Sequence, residues 1–167
     1  GGGQVAVMSK MKSGIFAGSY LSTSQVTNVS LSNPHEMKVS PDGQYMLVAG
    51  GSDNALAVYQ RSGDGSLTPI LTWTNIGNLN NPFGVAFSPD SQFAYITNYS
   101  GNSISTFKHI GNAYFYTGVI TATTMATHPL TNPAGIVVSP DGKNVYVAVH
   151  TATPAEGTLA VYRRDVM

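Results

Sequence analysis

The chain has 167 residues, with eight Lys plus Arg against eight Asp plus Glu, so its formal net charge is zero. Only 10% of residues are charged, against roughly 25% in an average soluble domain, and the balance is made up by 17 Ser, 16 Thr and 12 Asn. A neutral chain lacks the basic face that nucleic acid requires, its 42% hydrophobic content is too high for a disordered chain, and no apolar run nears the roughly 20 residues of a transmembrane helix.

In chain order, Gly1-Gly2-Gly3 reads as a scar or a cut edge. Residues 4–8, 15–21 and 26–31 are strand-like pieces, grouped here as a partial blade over 4–32. The first full unit, 33–80, has a strand near 35–39, then the turn Ser40-Pro41-Asp42-Gly43, in which Pro presets φ and Gly accepts a positive one. Strands follow at 45–49, 55–59 and 67–73. The second unit, 81–131, has strands at 93–97, 104–107 and 114–120. The third, 132–167, has strands at 136–138, 145–149 and 158–162 and lacks a fourth. Short β-branched and aromatic runs between Gly, Pro and Asn clusters are strand signals, and no segment has a helical period.

The units are repeats. NPHEMKVSPDGQYMLVAG starts at Asn33, NPFGVAFSPDSQFAYITN at Asn81 and NPAGIVVSPDGKNVYVAV at Asn132, giving spacings of 48 and 51 residues. A four-stranded propeller blade takes about 40–50 residues. The fold expected is therefore all-β, with about three and a half propeller blades. Exposed blade edges are templates for pairing, so the chain reads as half of a roughly seven-bladed ring, either a fragment of a longer protein or one of two copies that pair.

The strings VSPDGQYMLVAG, FSPDSQFAYITNYSGNSISTF and VSPDGKNVYVAV resemble YVTN-type, lactonase-like β-propeller repeats, and NALAVYQRSGDGSLTP from Asn54 is similar to the blade ending of that family. The resemblance spans about residues 33–165. It implies a propeller, and as one activity the hydrolysis of sugar lactones, with a divalent cation as a conceivable aid. Other members of such superfamilies are surface-layer or interaction proteins, and fold alone does not carry function.

Inner-strand polar residues are where a propeller builds a site. His35 and Glu36 stand there in the first unit, as candidate general base or ligand and as its acid partner or orienter. Phe83-Gly84 and Ala134-Gly135 are the equivalents and carry no such groups. Arg61, Arg163 and Arg164 all follow third strands, away from the expected channel. His109, His128 and His150 have no metal-site spacing and read as surface residues. Asp42, Asp90 and Asp141 recur with the repeat and read as turn caps, as does the pair Asp53-Asn54. Tyr45, Phe93 and Val145 are taken as equivalent packing positions. Trp73 is a candidate sugar platform, and Asn28 and Asn98 head glycosylation sequons.

Without a convergent catalytic set, the first functional expectation is a non-enzymatic recognition or assembly scaffold for a protein, small-molecule or glycan ligand. The alternatives are a lactonase-type hydrolase with His35 and Glu36 at the channel rim, and a carbohydrate-binding propeller. No cofactor or metal site is identified. The absence of Cys rules out disulfides and thiolate chemistry and fits either a cytoplasmic protein or an exported bacterial one, with a bacterial source and a secreted or cell-surface setting favoured.

Overall fold

The computed structural model describes residues 4–10, 20–27, 31–121, 130–150 and 157–164. Every regular element among them is a strand. The strands β3 (Pro34–Val39), β4 (Tyr45–Gly50), β5 (Ala55–Arg61) and β6 (Leu67–Thr74) form one antiparallel sheet in sequential order. β7 (Pro82–Phe87), β8 (Phe93–Asn98), β9 (Ser103–Ile110) and β10 (Ala113–Thr121) form the next, and β11 (Pro133–Val138), β12 (Asn144–Val149) and β13 (Thr158–Arg163) a third. Before them, β1 (Gln4–Lys10) pairs with β2 (Tyr20–Thr27) as a separate hairpin. Of the strand-like pieces expected over 4–31, the one at 4–8 falls within β1, while most of 15–21 and residues 28–30 lie outside the described residues.

The Ser-Pro-Asp turn is built the same way each time. Ser40, Ser88 and Ser139 each donate a hydroxyl to the aspartate two residues on. That aspartate accepts the backbone N–H of Gln44, Gln92 or Lys143 at 3.0 Å. The same serine oxygens accept from the N–H of Tyr45, Phe93 and Asn144 at 2.9–3.0 Å. The carboxylates are therefore spent on turn geometry. This register makes Asn144, not Val145, the counterpart of Tyr45 and Phe93, because the serine-to-strand distance is five residues in every blade.

The Asn of each Asn-Pro has left-handed backbone, with φ of 49° at Asn33, 53° at Asn81 and 45° at Asn132, a region that Asn tolerates better than branched residues. Consecutive blades are stapled there. The Asn81 N–H donates to Asn54 Oδ1 at 2.7 Å, and the Asn132 N–H to Asn102 Oδ1 at 2.8 Å. Each donor opens one blade and each acceptor sits in a turn of the blade before it.

The first strands lie side by side, β3 against β7 and β7 against β11, which places them on the inner edge. Between blades the core is apolar. Leu47, Leu56 and Val58 of the first sheet pack on Val85, Ile96 and Phe107 of the second. Tyr95 and Ile104 of the second pack on Ile136, Val147 and Tyr162 of the third. A leucine two residues before each signature Asn (Leu31, Leu79, Leu130) is buried every time. The far face of the third sheet repeats the pattern without a partner among the described residues: Leu159 is 60% exposed where its counterpart Leu56 is 0%.

Candidate functional site

At the entry to each first strand the pairing slips by one residue. Pro34 faces Gly50 and Met37 faces Val48, and the same shift occurs between Pro82 and Val85 and between Pro133 and Ile136. Such a bulge re-aims side chains. The residues inside the three bulges are His35-Glu36, Phe83-Gly84 and Ala134-Gly135, so both sequence-predicted candidates stand at the inner edge, at the end of the blades where first strands begin.

His35 is held by two bonds. Its Nδ1 lies 3.1 Å from the Pro82 carbonyl and its Nε2 3.0 Å from Asn33 Nδ2. A carbonyl only accepts and an amide nitrogen only donates. These partners therefore select the neutral tautomer with the proton on Nδ1. The ring lies 4.5 Å from that of Phe83 and fills space that Gly51 leaves by having no Cβ, since a methyl group there would collide with His35 and with Asn81.

Glu36 does not pair with His35. Its Oε2 accepts the Val85 N–H at 3.0 Å, bridging β3 to β7, and its Oε1 lies 3.7 Å from Lys38 Nζ. The Glu36 side chain is 35% exposed and that of Lys38 50%. A groove of about 310 Å³ runs past this pair, lined also by Gly135, Val137, Tyr146 and Leu159. Lys38 was missed by sequence reasoning, although the signal exists: residues i and i+2 of a strand share a face. Next to it, buried Thr97 accepts from the Gly84 N–H at 2.7 Å and donates to the Ala134 carbonyl at 2.6 Å. Gly84 is required there because a Cβ would strike the Ala134 carbonyl oxygen.

The arginines lie at the other end of the blades. Arg61 and Arg164 donate to the carbonyls of Gly43 and Gly142, within the Ser-Pro-Asp turns. Arg163 is exposed at the end of β13. His109, expected on the surface, is half-buried instead, packed 4.8 Å from the Tyr45 ring and 5.1 Å from that of Tyr114. Burial pushes the Tyr114 hydroxyl above the usual phenol range, helped by Asp42, Tyr45 and Asp90. His150 is exposed, with its ring 5.6 Å from Tyr99. His128 and Asn28 lie outside the described residues. Asn98 is fully buried, bonded to Ser103 and Ser105, so its sequon is inaccessible in the fold. Trp73 is no open sugar platform: its Nε1 donates to the Tyr114 carbonyl at 2.9 Å, and its ring meets Phe115 edge-on at 5.8 Å.

Among the described residues no three His, Cys, Asp or Glu side chains gather to hold a metal ion, and no helix is long and apolar enough to cross a membrane.

No curated protein matches the chain. Solved structures do, as folds. A Desulfotomaculum acetoxidans protein of unknown function has a TM-score of 0.69 at 24% identity, covering 86% of this chain and 41% of its own. A Bacteroides fragilis protein proposed as a 6-phosphogluconolactonase has 0.69 at 18% identity, covering 84% and 37%. The periplasmic gluconolactonase PpgL of Pseudomonas aeruginosa has 0.62 at 19% identity, covering 97% and 49%. The chain thus spans between about two fifths and half the length of these structures. The family described as "Lactonase, 7-bladed beta-propeller" matches residues 30–166. With that match running through every blade described above, the chain belongs to the seven-bladed lactonase β-propeller family.

Proposed function

We propose that this chain supplies part of the catalytic rim of a lactonase-type hydrolase acting on sugar lactones. The observation that carries the reading is the Glu36–Lys38 pair on β3, open to the groove at the inner edge, in a chain of the lactonase family. That membership favours hydrolysis over a non-enzymatic scaffold. The ring would be completed by further blades or by a second copy. A secreted or cell-surface setting is part of the same proposal.

The chemistry assigns each group one task. The Glu36 carboxylate takes a proton from a water molecule as its oxygen attacks the lactone carbonyl carbon. The Lys38 ammonium stabilises the oxyanion that develops on the carbonyl oxygen. Collapse of the tetrahedral intermediate breaks the ring C–O bond, and the proton on Glu36 passes to the departing alkoxide, leaving a hydroxy acid. His35 serves as a positioning residue, because both of its nitrogens are engaged. The residues described do not assemble a cation site, so no step runs through one.

The test is hydrolysis of glucono-δ-lactone and its 6-phosphate by the closed ring, followed as acid release. Glu36→Gln keeps an acceptor for the Val85 N–H but cannot take the proton, and is expected to lower kcat by about 10²-fold or more with an unchanged melting temperature. Unaltered turnover in Glu36→Gln would sink the assignment.

A further inference from the structure

Between the first and second blades, at the end where the Asn-Pro signatures lie, a groove of about 540 Å³ is walled by Asn54, Asn75, Asn78, Asn80, Ser100 and Gly101. None of these residues carries a charge. Asn54 is committed, with Oδ1 accepting from the Asn81 N–H at 2.7 Å and Nδ2 at 3.5 Å from Asn75 Oδ1. The side chains of Asn78 and Asn80 are exposed and hold no hydrogen bond among the described residues.

Turn geometry explains the residue type at Asn54, Asn75 and Asn78, where φ is 50°, 51° and 59°. It does not explain Asn80, which has no positive φ and whose counterparts one residue before the signature are Ser32 and Thr131. Nor does a turn require that the amides line one groove.

Ser100, of the second blade, is tied to the Asn-Pro signature, its Oγ accepting from Asn81 Nδ2 at 3.3 Å.

We propose that this groove binds a neutral saccharide. Its amides would meet the sugar hydroxyls. An amide sets a donor beside an acceptor, the complement of a hydroxyl that does both. An ionic ligand would find no counter-charge in the lining. An extended peptide seeks an open sheet edge, and the outer edges here are β6 and β10. The inference goes beyond lactone hydrolysis, because the lining includes neither His35 nor Glu36 and occupancy is read without turnover.

The experiment is an NMR and calorimetric titration of the 167-residue chain with maltohexaose, cellohexaose, xylohexaose and chitohexaose. Saturable binding of at least one, with shifts centred on Asn78, Asn80 and Ser100, is the expected result. Asn78→Gly, which accepts the positive φ, combined with Asn80→Ala should weaken it about tenfold, the effect of losing two neutral hydrogen bonds. The single Asn80→Ala change, at an exposed side chain with no bond to lose, keeps the result independent of folding. The proposal fails if no saccharide binds, if binding survives the double variant, or if a peptide library occupies the groove while the sugars do not.

Discussion

Arg164 of the third blade reaches across to Asp90 of the second, with Nη2 3.2 Å from Oδ2, while its guanidinium lies 4.8 Å over the Phe93 ring. The same position in the second blade is His109, over Tyr45, and in the first it is Arg61. At two joints between blades this position therefore acts in chemically different ways, by an ion pair from Arg164 and by ring packing from His109, while Arg61 bonds within its own blade. Burial raises the pKa of Asp90, but the Ser88 hydroxyl, the Gln92 N–H and Arg164 outweigh it and hold the carboxyl below its usual range.

A depressed carboxyl pKa contributes stability that is fully present above the unfolded value near 4. That contribution disappears as pH falls through the lower folded value. Urea midpoints of the wild type and of Asp90→Asn should thus differ at pH 7 and converge as the pH falls below the folded value. Because Asp90 is half exposed, the Asp90–Arg164 pair itself is worth at most about 1 kcal/mol. Arg164→Ala, which also loses the stacking on Phe93, should cost about 1–2 kcal/mol.

Leu56 and Leu159 occupy the same repeat position at 0% and 60% exposure. Leu56→Ala should cost about 2–5 kcal/mol by opening a cavity between the first two blades. Leu159→Ala in the isolated chain should stay within about 0.5 kcal/mol. Equal losses on chemical denaturation would show that the third sheet is covered in the same way as the first.

Asn54 has two tasks, its left-handed backbone and its bond to the Asn81 N–H. Asn54→Gly keeps the first and should cost about 1 kcal/mol. Asn54→Ala loses both and should cost about 2 kcal/mol. The order of the two melting temperatures checks the staple.

Gly51→Ala should unseat His35, since the added methyl group occupies the space of its ring. The expected cost is about 1–3 kcal/mol. The imidazole ¹⁵N spectrum should lose the single Nδ1–H tautomer that the Pro82 carbonyl imposes. An unchanged spectrum would mean that His35 does not depend on Gly51.

Most of the blade framework was legible because its determinants are local. Ser-Pro-Asp and Asn-Pro encode turns through their own side chains and φ values, so strand order and the inner place of His35 and Glu36 followed from counting residues. The burial of Asn98 and the half-buried setting of His109 did not, because each depends on which neighbouring sheet covers the residue, whereas Lys38 had a local signal in its place two residues from Glu36 on one strand. The slip at Val145 shows the same limit. Apolar pattern alone does not decide register, and the hydrogen bond from Asn144 to Ser139 does.

The neutral, Asn- and Ser-rich sequence by itself determined an all-β repeat of about 48 residues per unit, since turn chemistry acts over four or five neighbouring residues. The tertiary structure alone decided how the side chains are used. It separated His35 from Glu36, gave Glu36 to Lys38 and Val85, bonded the Trp73 indole N–H to the Tyr114 carbonyl, removed Asn98 from the surface, and gathered asparagines from different turns into one groove. Those outcomes depend on contacts across dozens of residues, where close packing and the need to pair every buried polar group select one arrangement.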